Sequence, residues 1–392
     1  MPLAIYVLGL MIFSMTTSEF MVAGMMPSLS RDFGVSIASI GYLISAYAAG
    51  MIIGGPLLTV GLLKVPRKKA LMALVFVFFV GQILGALAPN YELMMVARVI
   101  TGIASSACFG VSIAIALSLA SPQSSGRAAS TVLGGLMVAT AIGLPAAMLF
   151  DQYFGWRASF WAVAALVLLS GILCQLLIPP SPAAEPSSIR NEFSAFANRH
   201  LWAAYITSML IIGATFAAFS YFSPILTDIA GFDVQIVPLL LGIYGAATVI
   251  GNIITGRLAD RYMMPILTAG LIMLAFALII FGVFPDYRVI AVTAVIVIGL
   301  AGVPMNPAMV TRVTRSSNAG PLVNTIHVSI INFGIVVGSS IGGFAIDKGF
   351  GLASPLWVGA ILAVLGLVSL LPYLPKARRT EVQIRNNKQT CA

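Results

Sequence analysis

The sequence predicts an all-α membrane protein, with twelve transmembrane helices in two pseudo-symmetric six-helix bundles. Three observations predict it. Apolar residues make up 59% of the 392 residues and charged residues 8%, where a soluble domain carries about 25% charged. The apolar residues fall in unbroken runs of the ~20 residues a helix needs to cross hydrocarbon, whereas a β-barrel would show alternating segments of about ten. The second half of the chain also repeats residues of the first at a nearly constant offset.

Apolar runs and their breakers place helices near 4–26, 36–63, 70–88, 92–119, 127–150, 157–178, 201–226, 235–258, 264–283, 289–309, 320–346 and 353–374. No basic segment precedes the first run and no clean small-residue cleavage site follows it, so it reads as a retained span and not a signal peptide. Lys64, Arg67, Lys68 and Lys69 separate spans two and three; Arg127 separates four and five. Arg190 and Arg199 lie between six and seven, Arg257 and Arg261 between eight and nine, Arg312 and Arg315 between ten and eleven. The tail adds Lys376, Arg378, Arg379, Arg385 and Lys388. The opposite side holds Arg31, Arg157, Arg288 and Lys348. This asymmetry puts both termini in the cytoplasm, and it accounts for the net charge of +9 without nucleic acid. Pro179, Pro180, Pro182 and Pro186 open the one long loop. The organisation is therefore an N-terminal bundle (1–178), a cytoplasmic linker (179–200), a C-terminal bundle (201–375) and a cytoplasmic tail (376–392).

Tyr47, Ala49, Ile53 and Gly54 match Tyr244, Ala246, Ile250 and Gly251 at an offset of 197. Asp151, Phe154, Gly155 and Trp161 match Asp347, Phe350, Gly351 and Trp357 at 196. Six spans per half is an even number, so the halves keep one orientation. They are expected to be related by an axis along the membrane normal, with a site between them at the midplane.

Catalytic motifs are missing. There is no phosphate-binding Gly-x4-Gly-Lys-Ser/Thr loop and no His-Glu-x-x-His pair. Cys108, Cys174 and Cys391 are scattered and suggest neither a disulfide framework nor a metal site. A non-enzymatic monomer without metal or cofactor is expected.

Glu19 is the sharpest signal. It precedes Pro27 by eight residues, about 12 Å of helix, and an ionisable side chain at such depth is functional by default; pairing with a neighbouring helix is the plainer reading. Arg98 lies at a similar depth in span four, either as electrostatic partner of Glu19 or as a hub for backbone carbonyls. Met11, Met15, Glu19 and Met26 are spaced four, four and seven, which puts them on one helical face. Polarisable methionines suit a cavity for varied apolar ligands. Tyr47 and Tyr244 join this cavity set, as do Asn252, Asn306, Asn324, His327 and Asn332, although intramembrane amides also hydrogen-bond between helices. His327 has no second His or Cys nearby in sequence with which to hold a metal.

The remaining motifs carry a resemblance. Gly256-Arg257-Leu258-Ala259-Asp260-Arg261 follows span eight; its first-half counterpart keeps Lys64, Arg67 and Lys68 but has Thr59 and Leu63 in place of the Gly and Asp. Arg98 and Gly102 stand in "ARVITG", and Gly143-Leu144-Pro145 in span five is followed by Ala147. With the opening "TSEFMVAGMMPSLSRDFGVS", these residues resemble the major facilitator superfamily and, within it, the bacterial drug:proton antiporter branch that includes chloramphenicol and sugar exporters. The resemblance implies gating by Lys64, Arg67, Lys68, Arg257, Asp260 and Arg261, and an antiporter motif around Gly143 and Pro145. It implies a proton-gradient-driven antiporter that exports small, largely apolar molecules of the chloramphenicol type by alternating access, with Glu19 and Arg98 coupling the proton. The alternative on the same fold is a sugar or nucleoside exporter; a receptor or assembly factor is disfavoured because no sizeable soluble domain is present.

Overall fold

Prolines and glycines cut the apolar runs into helices at places that can each be explained. The computed structural model describes residues 2–62, 65–121, 125–180, 194–316 and 321–373. Lys64, most of the linker (181–193) and the tail (376–392) lie outside the described residues.

Helix α1 (Leu3–Gly24) stops at Met25, and α2 (Met26–Phe33) starts again with Pro27 in its first turn and ends on Gly34 at φ 64°. Pro at a helix start and Gly in the left-handed region at its end are the favoured punctuation. Then come α3 (Ile37–Gly61), α4 (Arg67–Ala86) and α5 (Tyr91–Leu119). The Asn90 side chain accepts from Leu93 N and caps α5. α6 (Ser125–Val138) passes through a π turn at Ala139–Gly143 into α7 (Leu144–Phe154). Pro145 causes the widening: it has no N–H for the Ala141 carbonyl and its ring crowds that carbonyl, so Leu144 N reaches back to Ala139 O instead. Gly155 at φ 81° turns the chain into α8 (Trp156–Leu177).

The second half runs through α9 (Arg199–Phe219), α10 (Val237–Val283), α11 (Arg288–Ala301), α12 (Asn306–Ser316), α13 (Pro321–Ala345) and α14 (Ser354–Leu370). Among the described residues there is no strand, and eleven helical segments are long and apolar enough to cross a membrane.

Four boundaries differ from the sequence expectation. The run at 201–226 is broken at Tyr221 (φ −113°, ψ 11°), so α9 ends at Phe219 and residues 222–229 form a separate short helical segment. Met26 belongs to α2, so the Met11–Met15–Glu19–Met26 face does not run on one helix. The runs at 235–258 and 264–283 form one 47-residue element, α10. A straight helix of that length spans about 70 Å, more than twice the ~30 Å of hydrocarbon. It is broken at Tyr262 (φ −122°, ψ 31°), where Pro265 leaves the Arg261 carbonyl without its helical donor. The run at 289–309 is interrupted at Gly302–Met305, where Gly302 (ψ −100°) and Pro304 separate α11 from α12.

In lipid no hydrophobic gain drives helix against helix, so close backbone approach at small residues does the work. A Cβ at Gly102 would lie 2.1 Å from Tyr47 O, and one at Gly54 2.4 Å from Ile103 O, so α3 and α5 touch backbone to backbone. The same pairs recur 197 residues on: Gly299 against Tyr244 O at 2.8 Å and Gly251 against Leu300 O at 2.5 Å. α1 meets α6 where a Cβ at Gly135 would lie 2.1 Å from Gly9 O; α9 meets α13 where Gly338 would lie 2.1 Å from Gly213 O. Gly351 repeats the positive φ of Gly155, 84° against 81°.

The two halves of the sequence meet along α3 and α13, and where α10 packs on the α6–α7 π turn. Ser45 Oγ is 2.6 Å from Ser339 Oγ and 2.8 Å from Ser340 Oγ. Ser36 donates to Asp347 Oδ1 at 3.1 Å, Ser223 to Gly24 O at 3.0 Å, Gln152 to Val234 O at 2.6 Å and, further along α3, Ser329 to Ile52 O at 3.4 Å. All but the Ser329 bond lie toward the end of the molecule that carries Asp32 and Asp347.

Candidate functional site

Arg98 organises the first half from inside. It is 1% exposed. Its Nη1 donates to Ser18 O at 2.7 Å, Nη2 to Glu19 O at 3.0 Å and Nε to Leu43 O at 3.4 Å. The guanidinium lies over the Tyr47 ring at 4.3 Å, and Tyr47 donates to Met15 O at 3.3 Å. α1, α3 and α5 are thus tied together by one planar cation with five donors. Ser18 extends the network by donating to Gln82 Oε1 at 2.7 Å, and Gln82 Nε2 donates to Phe160 O at 3.3 Å.

Glu19 is held through its backbone. Its side chain is half-buried and makes no ion pair within 4.0 Å; among the described residues that distance is met by Arg157 and Asp32, at 2.7 Å. The next residue, Phe20, crosses to the second half: its ring centroid is 5.9 Å from Phe216 and 5.7 Å from Phe219. Phe219 stacks on Tyr244 at 5.0 Å, and Phe222 meets that ring edge-on at 5.6 Å. The residue that follows Glu19 thus packs in an aromatic cluster to which both halves of the chain contribute.

Met11 and Met15 are fully buried, and Met11 Sδ accepts from Ser170 of α8 at 3.3 Å. The polar residues expected in the second half differ in burial and in partners. Asn332 is 3% exposed, donates to Val328 O of its own helix at 2.9 Å and leaves Oδ1 without a partner. Asn306 Oδ1 is likewise unpartnered among the described residues. Asn324 is exposed and Asn252 half-buried. His327 is buried, 2.9 Å from Ser208 Oγ and stacked on Tyr205 at 5.7 Å. Ser208 already donates to Ala204 O, so the imidazole Nε2 is the donor to it.

The residues expected to gate sit at or near helix ends. Asp260 precedes the Tyr262 break by two residues; its carbonyl accepts from Arg315 of α12. Arg257 is exposed and Arg261 lies over the Tyr262 ring at 5.3 Å. Arg67 begins α4, and Lys68 donates to Gln175 O and Ile178 O at the end of α8, at 2.7 and 2.6 Å. Gly143 is where α1 touches the π turn, since a Cβ there would lie 2.1 Å from Thr17 Oγ1; Pro145 faces α10, where a Cβ at Gly242 would lie 3.4 Å from its Cγ. The turn around Gly143 and Pro145 is therefore a three-way joint that includes the seam between halves.

Sequence reasoning missed several residues. Ser18 and Gln82 carry the Arg98 network, yet single buried polar residues give no pattern. Phe216, Phe219 and Phe222, which build the ring cluster around Phe20 and Tyr244, were not singled out either. Arg312 counted as a loop cation, but it is 5% exposed, donates to Thr207 Oγ1 at 2.7 Å and lies over the Tyr373 ring at 5.0 Å. On the outside of α2, Asp32 accepts from Arg157 at 2.7 Å and Trp156 Nε1 at 2.9 Å. The hydrogen bonds from Arg157 and then from Trp156 hold its carboxyl below the usual carboxylate range.

A family profile described as Major Facilitator Superfamily matches residues 8–321. The chain is 29% identical to a chloramphenicol resistance protein of Streptomyces lividans, covering 95% of this chain and 96% of that one. It is 31% identical to the inner membrane transport protein YdhP of Escherichia coli (strain K12), covering 94% and 95%. In structure it is similar to a bacterial homolog of the human lysosomal transporter Spinster, with TM-score 0.77 at 15% identity over 94% of this chain and 95% of that one.

Proposed function

The chain belongs to the major facilitator superfamily and is a membrane transporter rather than an enzyme, and from that premise we propose that it is a proton-coupled antiporter exporting small, largely apolar molecules of the chloramphenicol type. The single observation that carries this reading is the position of Glu19. A half-buried carboxylate, on a segment that Arg98 pins and that Phe20 continues into a ring cluster from both halves, is suited to trade a proton against an apolar, aromatic guest. An ionisable group in a membrane interior is costly and needs such a role. The chloramphenicol resistance relative supports the substrate class.

In this reading the chain has twelve spans, because α10 bends at Tyr262 into two. The recurring glycine contacts support two related six-helix bundles (1–178 and 201–375), joined by a cytoplasmic linker. Both termini face the cytoplasm of the bacterial inner membrane, and the monomer needs no cofactor beyond the proton gradient. The bonds between halves gathered near Asp32 and Asp347 then close the outer side, as in an inward-facing state of an alternating-access cycle. Arg67, Lys68, Arg257, Asp260 and Arg261 gate the cytoplasmic side.

A sugar or nucleoside would need its hydroxyls met by several amides. Asn332 donates to Val328 O of its own helix and Asn324 is exposed, which favours the apolar substrate. The test is flux in proteoliposomes under an imposed pH gradient, with chloramphenicol, sugars and nucleosides as substrates. Chloramphenicol accumulation driven by the gradient is the expected result; sugar or nucleoside flux alone overturns the substrate class.

A further inference from the structure

The geometry points to a binding site for one anionic phospholipid in a groove between α4 and α8, away from the transport site. The groove encloses about 270 Å³. Met72, Phe76 and Phe79 form one wall, and Leu168, Ile172 and Leu176 the other. These walls run along i, i+4, i+7 and i, i+4, i+8 ridges, so the groove follows the helix axes. Its floor is Gly171, where a Cβ would come within 3.0 Å of Val75 Cγ1. The outer rims are apolar and open: Phe76 is 66% and Leu176 74% exposed. A straight, narrow, apolar channel facing the bilayer fits an acyl chain.

The head of the groove supplies the selectivity. Gln175 lines it at the end where α8 stops, and the Gln175 carbonyl accepts from Lys68 Nζ at 2.7 Å. Lys68 also donates to Ile178 O, which uses two of the three ammonium donors and fixes the cation at the groove mouth. Its third donor remains for a ligand. Arg67 and Lys69 flank it in the first turn of α4, and Lys69 lies one turn before Met72 on the groove face. Three consecutive cations at the end of an apolar channel match a phosphodiester followed by an acyl chain. A phospholipid with a net negative headgroup satisfies both ends; a zwitterionic one brings its own cation against the cluster.

The test is native mass spectrometry of the full chain in detergent, titrated with phosphatidylglycerol or phosphatidylcholine of the same acyl chains. Wild type should retain phosphatidylglycerol in preference to phosphatidylcholine. Lys69→Gln, which spares the Lys68 bonds to α8, should reduce that preference by about fivefold, the size of roughly 1 kcal/mol per cation at an anionic headgroup. Gly171→Leu fills the channel and should lower retention of both lipids. Equal retention of the two lipids by wild type, an unchanged preference in Lys69→Gln, or unchanged retention in Gly171→Leu overturns the proposal. So does a dimer signal that Gly171→Leu abolishes, because the occupant is then a second copy of the chain.

Discussion

Arg98 grips Glu19 by its backbone carbonyl, at 3.0 Å, and not by its carboxylate. The distinction separates two tasks. The guanidinium fixes where the α1 segment lies by bonding Ser18 O, Glu19 O and Leu43 O, while the Glu19 carboxylate stays free of an ion pair. A coupling group must change protonation in each cycle, and a tight ion pair would oppose that change.

Arg98→Lys tests the fork. A lysine keeps the charge but is a point donor that cannot span carbonyls on two helices as a planar guanidinium does. The expected outcome is a fall in Tm corresponding to about 1 kcal/mol for each lost bond, with transport lost although charge is retained. Wild-type transport by Arg98→Lys would mean that charge alone matters there.

Tyr221 supplies a test of outer closure. Its hydroxyl fits between two glycines: a Cβ at Gly41 would lie 2.0 Å from Tyr221 Oη, and one at Gly343 2.6 Å. Gly41→Leu overpacks this joint at about 1–3 kcal/mol, which biases the two-state equilibrium toward an open outer side. Cysteines placed at the outer ends of α3 and α13 should then label faster from outside, and adding Tyr221→Ala should restore part of the wild-type protection. Unchanged labelling in Gly41→Leu would remove Tyr221 from the closure.

Asp32 gives a pH prediction of opposite kind. Its carboxyl is held below the usual range by Arg157 and Trp156. The bonds stabilise the fold above the ordinary carboxylate pKa and are lost as pH falls through the lowered one. Near neutral pH Asp32 stays ionised, so Asp32→Asn should leave the pH profile of transport unchanged. The pair is 44% exposed on each side, and its loss should cost no more than about 1 kcal/mol. A shifted pH profile would make Asp32 part of the coupling.

Asp260→Asn isolates a carboxylate from a carbonyl, because the Arg315 bond goes to Asp260 O and survives the substitution. Turnover should fall while substrate binding persists, as measured by flux and by equilibrium binding on the same preparation. Full turnover would show that only the backbone of the motif matters.

The helices were legible because a bilayer demands long apolar runs, and Pro and Gly mark their ends. Where the reading slipped, tertiary context decided. Pro265 bends a continuous α10 at Tyr262 instead of ending it, and Met25 breaks α1 before Met26. The lone charges Glu19 and Arg98 were visible as anomalies in an apolar background. Ser18, Gln82 and the Phe216–Phe219–Phe222 series were not, because buried serines and phenylalanines look alike whether they line a site or fill a core. Arg312 was hidden by proximity to Arg315: a count of loop cations cannot tell which arginine turns inward onto Thr207.

The central claim is that Glu19 carries the coupled proton, and the direct measurement is uphill chloramphenicol transport in vesicles by wild type and Glu19→Gln at several pH values. Gln imitates the protonated side chain without being able to release a proton. The account predicts that Glu19→Gln still equilibrates substrate down its own gradient but no longer accumulates it when a pH gradient is imposed, and that its flux no longer varies with pH. Accumulation against a gradient by Glu19→Gln with the wild-type pH dependence would contradict it.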